Sequence, residues 1–533
     1  MKRVYFAILL FLMTSGIALA SQYWLGGFAS GFSWSDESAH YVNGLLIYDW
    51  VRAGAPLGMV AFARDYYMHF PKVLIGQWPP LYYGVEALAF MIAGHGPETA
   101  IALQAIFVGT LGVLVGNAVL TVSGPIAAVI AALAAVTSPY ILTNIQGVML
   151  DVPLACVMFG ASMAWAKYLT SGSWRWSLAF AATAAAAILI KGNGFCLALL
   201  PPLTLLIERD WRVLQRWTFW LPVPVVAILV GPWYLLTQRM LDGFGYTWGI
   251  DFTALATVQY GSEIPEYIGP IGLLFACIGA FQVVARGAAA KGDAYCTTAL
   301  ALVLSVLLFH FLVPMNIINR YVVGIVPGLI VLAVRGIEWL RPRFPARLGP
   351  VLVPILFALV IIGEPAAQPK HALAMREAAD YIFHAASSTP FILIGGTPNA
   401  EGSFVAALAN EDRQRRFYAV RGFSVLGKGD LLGDDYKPRF QSDDAAASWI
   451  DQSGIGWVVI DYSDSSLAWK HNAQLAAIAA EKRPGWSEAA RFETGYSRIR
   501  VYRLEAQDDA VSRSSLLEEL APSKALNLGL GKM

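Results

Sequence analysis

Charge is what this 533-residue chain has least of: 14% of its residues are Asp, Glu, Lys or Arg, while 57% are hydrophobic. An ordinary soluble domain carries roughly 25% charged residues. The shortage is concentrated in the first 365 residues, where apolar runs of about 15 to 21 residues recur, close to the length needed to cross a bilayer. A soluble fold is excluded, and the chain reads as an integral membrane protein. Net charge is also scarce, at +1, and the basic residues form short separate groups without a continuous stripe, which excludes a nucleic-acid footprint. Cysteine is limited to Cys156, Cys196, Cys277 and Cys296, which lie in or beside apolar segments without paired metal-ligand spacing and read as small buried thiols. Inverted internal repeats of the kind that build many transporters are lacking.

What is present is a series of apolar segments at 4–20, 101–121, 124–142, 152–170, 175–190, 193–207, 217–237, 267–285, 296–314, 321–335 and 348–364, which gives eleven crossings. With the N-terminus inside, thirteen basic residues fall on the inner side of the first 365 residues and six on the outer side, as the positive-inside rule expects. The segments 175–190 and 193–207 are short and separated only by Lys191, Gly192, Asn193 and Gly194. They read as a hairpin, because a single kinked crossing would put Arg209, Arg212 and Arg216 outside. The basic start, apolar centre and Ala18, Leu19, Ala20 ending of the first segment also fit a cleavable secretory signal, and in either case the residues that follow lie outside.

The character of the chain changes near residue 366. Residues 390–396, 416–420 and 457–461 read as short strands and 443–452 as a helix, so residues 366–505 are expected to form an extracytoplasmic α/β domain, followed by a tail over 506–533. The glycine-containing stretch 395–402 matches neither the dinucleotide fingerprint nor the phosphate loop and reads as a turn.

Candidate chemistry collects in a large first outer loop, 21–100, within the region 1–365. Ser35 is a plausible helix N-cap, which would put Asp36 and Glu37 in a first turn where the helix dipole favours ionised carboxylates. His40 follows Asp36 by four residues on the same helical face, so a divalent metal could bridge them, although a solvated interfacial face explains one such spacing more often. Trp78, Tyr82 and Tyr83 flank a double proline and suit either an interfacial anchor or a substrate wall. Asp151 is a second outward carboxylate, equally readable as a helix cap. Lys191 and Arg320 are isolated outward cations, readable as headgroup anchors or as partners of a phosphate. The segment 238–267, with Trp248, Tyr260, Glu263 and Glu266, reads as an outer loop able to bind an acceptor.

The order of these features carries a resemblance. Asp36-Glu37 after the first segment, Pro79-Pro80-Leu81-Tyr82-Tyr83, Thr137-Ser138-Pro139, Met149-Leu150-Asp151-Val152-Pro153, Lys191-Gly192, Gly231-Pro232-Trp233-Tyr234 and Arg320-Tyr321 together resemble the GT-C glycosyltransferases. The branch is that of the protein O-mannosyltransferases and the lipid A aminoarabinose transferase, glycosyltransferase family 39-like, and the resemblance covers residues 1 to about 365. It implies a GT-C-like bundle of about eleven transmembrane helices, in a bacterial inner membrane with the N-terminus cytoplasmic. It also implies inverting transfer of a sugar from a polyprenyl-phosphate donor to a glycolipid, polysaccharide or protein acceptor on the extracytoplasmic face. On that reading Asp36 is the general base with Glu37 beside it, and Asp151 orients acceptor or donor. Lys191 and Arg320 hold the carrier phosphate, and His40, Trp78, Tyr82 and Tyr83 line the substrate. Related sequences often carry a Lys before the Pro-Pro pair where this chain has Gln77, so one phosphate contact is either missing or supplied by Lys72. No cofactor is implied. The rival readings are a transporter or lipid-linked sugar flippase, which would place ionisable residues mid-span, and a non-catalytic assembly protein.

Overall fold

A computed structural model describes residues 2–56, 58–74, 76–241, 248–286, 294–343, 367–385, 389–429, 436–505 and 510–520. The chain divides into two compact units. One comprises Met1–Leu25, Gly76–Tyr82 and Ile101–Pro369, the other Gly26–Ile75, Tyr83–Ala100 and Lys370–Met533. The first outer loop thus groups for the most part with the C-terminal residues.

The first unit is helical. Seven of the expected spans fall on helices long and apolar enough to cross a membrane: Arg3–Trp24, Pro97–Ser123, Asp151–Ser171, Trp217–Thr237, Ile250–Arg286, Ala294–Leu312 and Asn319–Arg343. Three more, at 124–142, 175–190 and 193–207, fall on the shorter apolar helices Pro125–Thr137, Trp174–Ile190 and Gly192–Glu208. The segment 348–364 lies outside the described residues. The 124–142 segment breaks after Thr137 because Pro139 drives Ser138 out of the helical region, to φ −52° and ψ 130°, before a short helix resumes at Pro139–Asn144. Leu9, Leu12, Ile228, Leu235 and Phe281 stand exposed along helix flanks, an arrangement that hydrocarbon and not water would solvate. The protein is an integral membrane protein.

At Lys191 the backbone becomes extended and the helix ends. A Cβ on Gly194 would stand 2.5 Å from the carbonyl carbon of Ala187, seven residues earlier, so the chain doubles back there. In a continuous helix those residues would be about 10 Å apart along the axis.

The expected loop at 238–267 is corrected. From Ile250 onward it is helical, the helix breaks at Gly269, φ 68° and ψ 157°, and a second helix runs on from Pro270 to Arg286. Pro270 opens the second helix, where its missing N–H costs no intrahelical hydrogen bond. Residues 242–247 of that segment lie outside the described residues. Cys277, on this stretch, is exposed, contrary to expectation, on the flank that also presents Leu274 and Phe281; the other three cysteines are buried, and none of the four forms a disulfide.

Small residues let helices approach closely here. A Cβ on Gly336 would collide with the carbonyl oxygen of Phe275, and one on Gly279 with that of Leu332, so the Ile250–Arg286 and Val326–Leu340 helices touch backbone to backbone. Gly336→Val is expected to cost about 1–3 kcal/mol through overpacking, read as a fall of several degrees in the thermal midpoint of the detergent-solubilised protein. An unchanged midpoint would show that the contact contributes nothing.

The second unit carries the sheet. Strands β1 (Phe391–Gly395), β2 (Tyr418–Arg421), β5 (Ile455–Asp461), β6 (Trp486–Glu493) and β7 (Arg498–Leu504) lie in the order β2-β1-β5-β7-β6, while β3 (Gly427–Lys428) and β4 (Lys437–Pro438) form a separate ribbon. β1 is parallel to β2 and β5; β7 runs antiparallel to β5 and β6. β1 and β5 are buried at every position, which is why they read as continuous apolar runs. Leu393, Val458, Ile460, Leu475, Ile478 and Leu516 pack into one core, so the helix Ala510–Leu520 of the expected tail joins it. The stretch 395–402 is mostly helix and not turn: Thr397 caps the helix Pro398–Glu411 by accepting a hydrogen bond from the Ala400 N–H. The first-loop helices Ser35–Arg52, Met59–His69 and Leu81–Ala93 belong chiefly to this unit.

Candidate functional site

The described residues hold two groups of chemistry-bearing side chains, one in each unit. In the second unit, the helix Ser35–Arg52 begins one residue earlier than expected. Trp34 occupies the N-cap position and Ser35 is the first helical residue. Glu37 closes the end instead: its Oε2 accepts the Ser33 N–H at 3.0 Å and the Trp34 N–H at 3.4 Å. Its other oxygen accepts from Lys370 Nζ at 2.6 Å, and neither side chain of that pair is exposed to solvent. The carboxylate expected to share catalysis is therefore buried in an ion pair, and Lys370 was not foreseen, because its partner lies 333 positions away.

Asp36, the residue before it, is half-buried in the first turn of the helix. Its charge acts on Lys72 and Tyr83. Lys72 is sealed inside this unit at 4% exposure and donates to Ser35 Oγ at 2.6 Å. It lies so close to Gly402 that a Cβ there would stand 2.8 Å from Lys72 Cε. Burial, reinforced by the Arg421 guanidinium, pushes the Lys72 ammonium down to about 7, against the pull of Glu401 and Asp36. It braces the start of the helix and is not an exposed cation. His40 and Tyr83 are buried too, with His40 Nδ1 2.9 Å from the Tyr83 hydroxyl.

In the first unit, Asp151 opens the helix Asp151–Ser171, with Leu150 in the cap position, and is 4% exposed. Lys191 Nζ donates to Asp151 Oδ1 at 2.6 Å, and Arg320 Nε lies 3.9 Å from Oδ2. The structure thus brings together three residues that the sequence could only order along the chain. Tyr321 was missed. Its ring lies under both cations, with Lys191 Nζ 4.2 Å and the Arg320 guanidinium carbon 5.6 Å from its centroid. Within this group two cations face one carboxylate. Arg320 is the more accessible cation, its side chain 19% exposed against 9% for Lys191. The backbone around Arg320 is held by two residues of the expected acceptor loop. Tyr260 Oη accepts from the Ile318 N–H at 3.2 Å, and Tyr267 Oη donates to the Asn319 carbonyl at 2.6 Å.

Of the expected substrate wall, Trp78 is half-buried, while Tyr82 is fully buried and its hydroxyl accepts from Gln104 Nε2 at 2.7 Å. Tyr82, Tyr83 and His40 are all buried and hydrogen-bonded. Among the described residues, no group of three or more His, Cys, Asp or Glu side chains is placed to hold a metal ion.

Residues 77–235 match the family model described as dolichyl-phosphate-mannose-protein mannosyltransferase, a stretch that includes Asp151 and Lys191 but neither Asp36 nor Arg320. No curated protein matches the sequence significantly. The structure is similar to that of ArnT from Cupriavidus metallidurans in the apo state, at TM-score 0.56 and 14% identity over 93% of this chain and 97% of that one. The same protein bound to undecaprenyl phosphate matches at TM-score 0.55, with the same identity and coverage. Arabinofuranosyltransferase AftD from Mycobacteria matches at TM-score 0.51 and 14% identity, over 96% of this chain and 40% of that one. The chain thus shares its fold with these structures over nearly its whole length, and residues 77–235 match the mannosyltransferase family model.

Proposed function

We propose that the enzyme takes its sugar from a polyprenyl-phosphate carrier and transfers it, with inversion, to a hydroxyl of a glycolipid, polysaccharide or protein at the extracytoplasmic face of a bacterial inner membrane. The N-terminus is then cytoplasmic, in keeping with the basic residues gathered on that side. The observation that carries the reading is the group Asp151, Lys191, Arg320 and Tyr321. Two cations ordered by a buried carboxylate and an aromatic ring are preorganised positive charge, which is what a departing phosphate needs as its own charge grows. The similar fold of a protein crystallised with undecaprenyl phosphate supports the same donor chemistry.

In the proposed reaction the acceptor oxygen attacks the anomeric carbon on the face opposite the carrier. Its proton passes to Asp36, and the bond from the anomeric carbon to the phosphate oxygen breaks with its electron pair. The polyprenyl phosphate leaves carrying the charge that Lys191 and Arg320 offset. Asp151 keeps those two cations apart and directed, and Glu37 fixes the turn that presents Asp36.

The test is sugar transfer by purified protein, with radiolabelled polyprenyl-phosphate sugars and extracted envelope glycolipids. Arg320→Gln is expected to raise the donor KM about 10- to 100-fold, the loss of one or two charge-assisted hydrogen bonds at about 1.5–3 kcal/mol. An unchanged donor KM would remove Arg320 from the phosphate site. A wild-type enzyme that consumes no donor across a broad panel would sink the reading altogether.

A further inference from the structure

Lys191 stands at the start of a turn whose own backbone does little to hold it. The chain leaves the Trp174–Ile190 helix in an extended conformation at Lys191, and the short helix Gly192–Leu199 that follows is of the 3₁₀ type. Glycine restricts the backbone least of all residues, and i→i+3 hydrogen bonds have poorer geometry than those of an α-helix. Between Lys191 and Phe195 the chain reads Gly192-Asn193-Gly194, so Asn193 brings the one side chain by which the turn itself can be tied down.

That side chain meets His310. The imidazole is 1% exposed near the end of the Ala294–Leu312 helix, with Nδ1 2.8 Å from the Val306 carbonyl oxygen and Nε2 2.7 Å from Asn193 Nδ2. A carbonyl oxygen only accepts, so Nδ1 carries the proton. An amide nitrogen only donates, so Nε2 accepts. The two contacts together select a neutral ring in a single tautomer. The same ring touches the segment that bears Arg320. It packs edge-on against Tyr260 with centroids 5.9 Å apart and lies 6.4 Å from the ring of Tyr321. Tyr260 holds the Ile318 N–H, and Tyr321 has Lys191 Nζ over its face. One imidazole thus joins the Lys191 turn, through a hydrogen bond, to the segment of Arg320, through ring contacts.

We propose that His310 is a positioning residue, which tethers the Lys191 turn through Asn193 and so keeps the Lys191 ammonium directed at the carrier phosphate. The donor part of this assignment rests on the transferase reading, and the tether does not.

The tether is tested by amine-reactive labelling of Lys191 in the full-length protein in nanodiscs, read by mass spectrometry and normalised to the exposed Lys428. His310→Phe keeps a ring and removes the acceptor, while Asn193→Leu removes the donor from the other side. Each is expected to speed Lys191 labelling at least about fivefold, the loss of one buried hydrogen bond. His310→Gln, whose side-chain oxygen can stand in for Nε2, is expected to label like the wild type, a rescue that packing alone would not give. The double variant is expected to label no faster than either single one, because both remove the same bond. In transfer assays His310→Phe is expected to raise the donor KM about five- to tenfold, with a smaller effect on kcat. Wild-type protection of Lys191 in both single variants, or equal acceleration in His310→Phe and His310→Gln, would overturn the tether. Faster labelling with a wild-type donor KM would overturn its role in donor binding. A wild-type protein that uses no donor would sink the transferase reading, and the labelling would still decide the tether.

Discussion

Replacing Asp36 by Asn is expected to lower kcat by about 10²–10⁴-fold while leaving donor KM and folding unchanged. The amide has nearly the shape of the carboxylate but cannot take the acceptor proton, so an effect on the chemical step follows without one on binding. Folding is expected to be spared because other side chains also hold the turn. Glu37 holds the helix start through the Ser33 and Trp34 N–H groups, and Lys72 braces Ser35 from the side. The same contacts decide between the two adjacent carboxylates. Glu37 is fully buried and its oxygens already accept two backbone N–H groups and the Lys370 ammonium, which leaves it poorly placed to approach an acceptor hydroxyl. Initial rates at saturating donor, measured beside a thermal midpoint, separate the outcomes. Near-normal kcat in Asp36→Asn would end its role as base while leaving the GT-C fold untouched.

The parts of this protein that were legible in the sequence are those set by local pattern. Phe391–Gly395 and Ile455–Asp461 are buried on both faces, so their apolar runs had no other good reading, and the helix Asp443–Gln452 shows its Ser442 cap and apolar stripe directly. β6 and β7 were missed because only part of each is buried. Arg498, Arg500 and Arg503 interrupt β7, and its register against β5 comes from tertiary pairing. The helix from Ile250 was mistaken for a loop because Gly261 and Pro265 are breakers in water, whereas an apolar, packed setting tolerates both inside the helix that ends before Gly269. Among the candidate residues of the two units, Asp36, Asp151, Lys191 and Arg320 were visible as rare charges beside apolar runs. Their pairing was not, since Lys191 reaches Asp151 across 40 positions, and Tyr321 contributes only through its ring. Least legible were Lys370 and the pair Asn193 and His310, whose meaning exists only after remote segments within each unit have met.

Lys370→Met is expected to destabilise the protein by about 3–5 kcal/mol, because it strands the Glu37 carboxylate in a site with no solvent to replace the lost ammonium. The effect should exceed that of almost any surface substitution in the same unit, and it should carry a loss of transfer with it, since the turn that Glu37 fixes is the one that presents Asp36. The double variant Glu37→Gln with Lys370→Met separates these consequences. Removing both charges together also removes their desolvation penalty, so most of the stability is expected to return. The Gln amide can still accept the Ser33 and Trp34 N–H groups, so the helix start survives. If transfer returns with stability, the pair acts only by holding the turn in place. If stability returns and transfer does not, the fixed negative charge of Glu37 beside Asp36 is itself part of how the base is set. A single variant that loses less than about 1 kcal/mol would place this pair with solvent-exposed bridges and would refute its burial as the reason the turn is rigid.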